Sequence, residues 1–397
     1  MPKEKSVILL AIDASGDKNG SAADRRPREM TFGRVHGAVA AAPTFAPSAL
    51  VSMGELDLLQ TFDDAQLELF LDRCDVILDA RSPAEYEEDH LPGAFNTPVL
   101  DNGQRAEIGT LFKRNPFEAR KRGARYALDN IRDFLESPAC RAWPEGTAIM
   151  VYCARGGQRS GALATVLSEI GFPVFRPTRG YKSYRAYVQQ VLERPLPGPV
   201  WVLHGFTGSR KTALLHRLAD RCNIVDLEGA ARHRGSVFGE MPDGQPGQRP
   251  FESKLVRAIR AFDPAKPTLI EGESRRIGRL NVPNPLWHQM VAGRNLWLQM
   301  SRARRVTNIL EDYADHKLAE TCLTILPRLA SYVAKRDIAT MHAQLESGDW
   351  AAFVDLLLDK HYDPLYGRFL RHHDAQRIEA DDDEAAYRQL VELIEAG

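Results

Sequence analysis

At 397 residues and 44.4 kDa the chain exceeds one ordinary domain, and two or three are expected. Lysine and arginine total 52 against 53 acidic residues, so the net charge of −1 excludes a wholesale polycation or an acidic solvating protein. It does not exclude a local basic face, because a sum hides its distribution. A composition of 44% hydrophobic and 26% charged residues is that of a soluble globular chain. Cys74, Cys140, Cys153, Cys222 and Cys322 lie far apart and form no CxxC pair, which favours free thiols in a reducing compartment.

Residues 1–55 stand apart. The apolar run from Val7 to Ile12 is too short for a signal-peptide core, and the proline- and glycine-bearing stretch 35–54 makes a poor membrane helix. The segment reads as a flexible extension, and the chain reads as cytoplasmic with no membrane partner. From Gly54 the pattern changes: 56–73 predicts a helix, 75–80 and 147–153 predict buried strands, 161–172 a helix and 173–177 a third strand. Strands alternating with helices imply a parallel sheet over 56–193. The Pro/Gly-rich residues 194–199 read as a linker. A second α/β unit over 200–390 opens with a strand, a Gly/Ser loop and a helix, adds apolar strands at 223–229 and 267–274, and turns helical from about 285.

Two loops carry chemistry. Cys153 closes an apolar strand and opens Cys153-Ala154-Arg155-Gly156-Gly157-Gln158-Arg159-Ser160. A thiol between a strand end and a helix N-terminus meets the positive end of the helix dipole, and Arg155 and Arg159 add charge, so the thiolate is favoured. Gly156 and Gly157 let successive N–H groups turn inward around an anion. The bland alternative is a buried cysteine ending a parallel strand. The Cys-x5-Arg spacing also satisfies the cysteine-phosphatase signature, so the loop alone leaves sulfur transfer and phosphate chemistry open.

The second loop is Gly205-Phe206-Thr207-Gly208-Ser209-Arg210-Lys211-Thr212, between a strand and a helix as a P-loop requires. Gly205, Gly208, Ser209 and Lys211 would cradle a di- or triphosphate, and Thr212 could hold Mg²⁺. Arg210 stands where a glycine is expected, which puts ordinary nucleotide hydrolysis in doubt. Glu271 and Glu273, ending an apolar strand, are candidates to orient a metal or water. Lys113, Arg114, Arg120, Lys121, Arg122 and Arg125 face one acid in their segment. Arg179, Lys182 and Arg185 sit among Tyr181, Tyr184 and Tyr187. Both runs are candidate RNA contacts, with the tyrosines as stacking surfaces, against the plain alternative of a solvated charged face.

Residues 75–98 together with the Cys153 loop resemble a rhodanese-type sulfurtransferase domain, through Asp79, Arg81, Glu85, His90, Pro92 and Gly93 and the closing Arg179-Gly180-Tyr181-Lys182. That resemblance implies that Cys153 carries a persulfide or perselenide. Joined to a P-loop domain, the chain is similar to the tRNA 2-selenouridine synthase family. The supporting segments are 226–229, 233–239, Gln245-Pro246, 251–253, 273–278 and 109–113. Gly272 departs from the family, which usually shows an acid there, as does Arg210. The resemblance implies a rhodanese-like parallel-sheet domain plus a P-loop NTPase-like α/β domain with a helical C-terminal part. It also implies wobble 2-thiouridine tRNA as partner, selenophosphate and geranyl diphosphate as substrates, and no tightly bound cofactor. Mg²⁺ is a candidate ion and a selenophosphate-producing enzyme a candidate partner. A cysteine-dependent sulfurtransferase or Cys-x5-Arg phosphatase with an accessory P-loop domain is the alternative.

Overall fold

The computed structural model describes residues 58–233, 244–312, 322–323, 326–366 and 374–396. The predicted extension over 1–55 and most of the 233–239 motif lie outside the described residues.

The first sheet is parallel throughout, in the order β1-β5-β4-β2-β3. Its strands are β1 (Leu59–Phe62), β2 (Val76–Asp79), β3 (Phe95–Asn96), β4 (Ile149–Tyr152) and β5 (Val174–Pro177). The stretch expected to be one helix over 56–73 divides instead. Leu59–Phe62 pairs with Val174–Pro177 as β1, Asp63 and Gln66 form a capping box, and only then does α1 (Leu67–Arg73) begin. Pairing with β5 outweighs the local helical pattern, and the box supplies the stop between the two. Helices α2 (Pro83–Glu88), α3 (Asn102–Arg114), α4 (Pro116–Leu135), α5 (Pro138–Arg141), α6 (Gln158–Ile170) and α7 (Tyr181–Glu193) complete this half.

The second parallel sheet runs β12-β11-β6-β8-β7, from β6 (Val200–Gly205), β7 (Asn223–Val225), β8 (Thr268–Glu271), β11 (Arg294–Gln299) and β12 (Ala375–Glu379). A short antiparallel pair, β9 (Arg276–Ile277) and β10 (Leu280–Asn281), lies outside it. Helices α8 (Lys211–Arg217), α9 (Leu227–Ala231), α10 (Gln248–Arg260), α11 (Asn284–Ala292) and α12 (Arg302–Asp312) connect the strands. The expectation of helix from about 285 onward is corrected in two places. Arg294–Gln299 is an inner strand beside β6, and Ala375–Glu379 is the edge strand beyond it. Leu296, Trp297 and Leu298 are buried consecutively, as a strand covered on both faces demands. The helical part is concentrated at Lys335–Ser347 and Trp350–Leu357, which pack around Met341, Leu345 and Phe353.

One apolar core crosses from the first half into the second. It runs from Phe62, Tyr152 and Phe175 through Tyr184 and Val188 of α7 to Phe251 and Leu255 of α10 and Leu286 of α11. Residues 194–199 are pinned within this arrangement. Leu196 is buried and its N–H donates to Gln289 Oε1 at 2.7 Å, while the carbonyls of Pro197 and Pro199 accept from Thr268.

Asp79 and Arg81 are fully buried at the end of β2. The guanidinium donates to the carboxylate at 2.6–3.0 Å and to the Asp89 carbonyl at 2.6 Å, and Tyr152 Oη donates to Asp79 at 2.7 Å. Asp79→Ala strands this guanidinium without its carboxylate, which costs about 3–5 kcal/mol. Urea unfolding of the full chain measures it, and a loss below about 1 kcal/mol would show the pair to be dispensable.

Candidate active site

Cys153 follows β4, flanked on both sides by parallel strands, at the carboxyl edge where α/β sheets place ligands. Its side chain is 3% exposed. Burial pushes the thiol pKa up, yet the net direction is down. The Ser160 hydroxyl donates to Sγ at 3.2 Å, the backbone N–H groups of Ser160 and Arg155 also point at sulfur, and Arg159 adds its charge. At the other cysteines burial outweighs any neighbouring cation, such as Arg73 beside Cys74 or Lys266 beside Cys222. Burial drives Cys74 to about 12 and Cys222 and Cys322 to about 11.

The loop is shaped by two glycines in the left-handed region. A Cβ on Gly156 (φ 65°) would lie 2.2 Å from the Thr178 carbonyl oxygen, and one on Gly180 (φ 59°) would lie 2.1 Å from that of Cys153. Only hydrogen fits at either place. The turn before α7 is thereby pressed against the cysteine loop, and Tyr181 N–H donates to the Cys153 carbonyl at 2.7 Å. Gly157 is the N-cap of α6, and Arg155 stands exposed on the loop. Arg159 does not point freely into the loop: it donates to Glu85 at 2.5 and 3.2 Å, and Arg105 reaches the same carboxylate at 2.9 Å. Although burial works against its charge, Glu85 is held at about 2 by Arg159. Arg176 completes the frame, donating to the carbonyls of Gly156 and Gly157 at 2.8 and 3.3 Å.

In the second half, β6 ends at Gly205 and α8 begins at Lys211, with residues 206–210 turning between them. Gly208 (φ 83°) passes so close to α12 that a Cβ would meet the Arg305 carbonyl oxygen at 2.9 Å. Two side chains of α12 hold this turn by its carbonyls: Arg305 donates to Thr207 O at 3.3 Å and Asn308 to Gly208 O at 2.9 Å. Ser209 is buried in the same turn, and its hydroxyl has no partner among the described residues. Lys211 is buried and its Nζ lies 3.4 Å from Gly205 O. Burial opposes its charge, but Tyr366, Glu273, Glu228 and Glu271 outweigh it and raise its pKa.

Thr212 donates to Glu271 at 2.5 Å and lies 3.5 Å from Glu228, whose N–H donates back to Glu271 at 2.9 Å. Burial and mutual repulsion keep Glu228, Glu271 and Glu273 above the usual carboxylate range, while Lys211 draws them down. Sequence reasoning singled out Glu271 and Glu273 but assigned no role to Glu228, Ser160 or the α12 pair. The signal that places Glu228 here is the Asp226 N-cap, which starts α9 at Leu227 and puts Glu228 in its first turn.

Arg210 takes the left-handed conformation that a glycine would occupy (φ 55°, ψ 34°). Its side chain leaves the turn to bond Glu311, with Asp383 3.9 Å away. The departure therefore alters backbone energy without filling the cradle. Gly272 also has a local reason: a Cβ there would lie 2.4 Å from His204 Nδ1 and 2.7 Å from the Leu203 carbonyl oxygen.

The proposed RNA contacts divide. Lys113, Arg114, Arg120, Lys121, Arg122 and Arg125 are exposed along α3 and α4, and Lys182 is exposed at the start of α7. Arg179 pairs with Asp64. Arg185 is drawn inward to Glu252, Ser253 and Asp89, joining α7 to α10. Tyr181, Tyr184 and Tyr187 are 8%, 1% and 2% exposed, so they cannot stack a base. Their three-residue spacing lays them on the face of α7 that enters the shared core.

Ser160→Ala is expected to raise the Cys153 pKa. The thiolate fraction below its midpoint should fall about tenfold, since a hydrogen bond to an ion contributes about 1.5–3 kcal/mol. Thiolate ultraviolet absorbance against Cys153→Ala reads it, and an unmoved midpoint would remove Ser160 from the site. Arg210→Gly should change pyrophosphate affinity less than about threefold while relieving about 1 kcal/mol of backbone strain. A large change in affinity, measured by calorimetry, would place the Arg210 side chain in the cradle.

Two family models match: the rhodanese-like domain over residues 63–187 and the tRNA 2-selenouridine synthase AAA domain over residues 198–330. The tRNA 2-selenouridine synthases of Pseudomonas syringae pv. syringae and Cupriavidus necator are each 32% identical over 344 residues, covering 78% of this chain and 92% of theirs. That of Nitrosomonas europaea is 31% identical over 279 residues, covering 68% and 72%. Among the described residues no helix is long and apolar enough to cross a membrane. With a rhodanese-like model matched on the first half, the selenouridine synthase AAA model on the second and this extent of similarity, the chain belongs to the tRNA 2-selenouridine synthase family.

Proposed function

We propose that the protein converts wobble 2-thiouridine in tRNA to 2-selenouridine with selenophosphate, through an S-geranyl intermediate made from geranyl diphosphate. The observation that carries this reading is the pairing, in one chain with a shared core, of a cysteine thiol held below its ordinary range by Ser160 and backbone N–H groups with a strand–turn–helix bearing a buried lysine, Lys211. The relatives' names supply tRNA and selenium.

In the first step the thiouridine sulfur would attack the allylic carbon of geranyl diphosphate as its C–O bond breaks. The charge left on diphosphate needs donors that are already in place, which the 205–212 turn and Lys211 provide. Phe206, Trp297 and Tyr366 cluster edge to face beside this turn, at centroid separations of 4.9–6.3 Å, and give the hydrocarbon chain an apolar neighbour. Thr212, Glu271 and Glu228 are an all-oxygen set of the kind that holds Mg²⁺ through one or two carboxylates together with a substrate phosphate. Such an ion would neutralise the departing diphosphate.

In the second step the selenium of selenophosphate would attack C2 while the C–S bond breaks and geranylthiolate leaves, and water would then cleave the Se–P bond, releasing phosphate and leaving selenium on C2. Alkylation makes that sulfur a better leaving group. The 153–160 loop is suited to hold the anionic selenium donor against Cys153, with Ser160 and the loop N–H groups stabilising negative charge at sulfur. The phosphatase alternative requires Arg159 to face a phosphate, whereas Glu85 holds it.

Full-length protein incubated with 2-thiouridine tRNA, geranyl diphosphate and selenophosphate should yield both geranylthio- and selenouridine by nucleoside mass spectrometry. Cys153→Ala should cut selenouridine more than a hundredfold while geranylthiouridine accumulates, whereas Lys211→Ala should cut both products from 2-thiouridine tRNA yet spare selenation of tRNA that already carries geranylthiouridine. Absence of both products, or rapid turnover of an aryl phosphate or thiosulfate without tRNA, would overturn the reading.

A further inference from the structure

Helix α3 buries none of its thirteen residues. Its partner α4 buries only Ala119, Ala127 and Ile131 of twenty. Helices of this length ordinarily hide an apolar stripe against their own domain. Here only the C-terminal half of α4 does so, with Ala127, Ile131, Phe134 and Leu135 on the first sheet's core, while towards the tip the two arms of the hairpin bond each other: Arg122 and Tyr126 both donate to Glu107, at 2.6 and 2.9 Å.

Its outer end is unusual for an exposed surface. Phe112 is 45% and Phe117 70% exposed, and each ring has a cation near its face, Arg120 and Lys121 respectively, both 5.8 Å from the ring centroid. Residues 113–125 carry six basic side chains and a single acid, Glu118. A cleft of about 430 Å³ opens beside the tip, with Thr110, Leu111, Arg114 and Arg122 in its walls. The inner end touches the chemistry. Arg105, in the first turn of α3, shares the Glu85 carboxylate with Arg159 of the cysteine loop. From Arg105 to Arg114 the helix advances roughly 14 Å at 1.5 Å per residue.

We propose that the α3–α4 hairpin is an RNA-docking arm. Phe112 and Phe117 offer ring faces to unstacked bases, and Lys113, Arg114 and Lys121 track the backbone phosphates. The proposal rests on the tRNA reading above and states where the RNA is gripped. Charge selects the partner class, because six cations against one acid complement a polyanion. Exposed rings select the conformation: a paired RNA helix is recognised by shape and phosphate, whereas a loop presents bases that stack on aromatics. The buried tyrosines of α7 leave that stacking role unfilled, and the hairpin fills it.

The test uses the full chain and a fluorescent, unmodified tRNA transcript, with anisotropy followed across a salt series. Phe112→Ala with Phe117→Ala should weaken binding tenfold or more with the salt slope little changed. Lys113→Ala, Arg114→Ala and Lys121→Ala together should flatten the log–log salt slope by about 2, at about 0.7 per lost phosphate contact on a single strand. All five side chains are exposed, and an unchanged melting temperature and Cys153 thiolate midpoint will certify the fold. If the wild type binds tRNA and both variants bind equally well, the arm is not the docking surface and the functional reading survives. If the wild type binds no tRNA, that reading falls and the arm with it. If sedimentation shows the phenylalanine variant changing the chain's association state while its tRNA affinity holds, the tip is an interface between copies and the proposal is overturned.

Discussion

The carboxylate of Asp89 is the point on which the two halves of this protein converge. It is 5% exposed and accepts from Tyr181 at 2.6 Å and Ser253 at 3.1 Å, with Arg185 at 3.5 Å, while its backbone carbonyl accepts from Arg81. Tyr181 and Arg185 belong to α7, Ser253 to α10 of the second half. A buried charge is tolerable only when its lone pairs are satisfied, so this one group obliges both helices to keep their relation. Because Tyr181 N–H also holds the Cys153 carbonyl, the same constraint fixes the Cys153 loop.

Both candidate loops share one local pattern, a glycine-bearing turn between a strand and a helix, and that is why they were legible in the sequence. Cys153 with its glycines, and Lys211-Thr212 after Gly205, need only a dozen consecutive residues to be recognised. What was hidden depends on distant partners. Leu59–Phe62 looks helical until Val174–Pro177 lies beside it, and Arg294–Gln299 becomes a strand only because β6 and β12 flank it. Arg185 reads as a solvent-facing cation until Glu252 and Asp89 surround it. The tyrosines of α7 are a different kind of miss, since their spacing already describes one face of a helix, and a buried face was the simpler inference.

Arg210 and Gly272 illustrate how a departure from a family pattern resolves into geometry. The first keeps the glycine-like backbone and sends its side chain elsewhere; the second makes room for His204. Neither breaks the turn between Gly205 and Lys211, which α12 secures by the carbonyls of Thr207 and Gly208.

The continuous core through Tyr184, Phe251 and Leu286, with Leu196 buried in the connecting segment, has a consequence for how substrates are handled. A tethered pair of domains could ferry an intermediate by swinging one half towards the other. Here the 194–199 segment is bonded to the second half at Leu196 by Gln289 and at Pro197 and Pro199 by Thr268, contacts that oppose such a swing. Under the proposed chemistry the enzyme is a stationary bench, and it is the nucleic acid that must shift its reacting base from one workplace to the next.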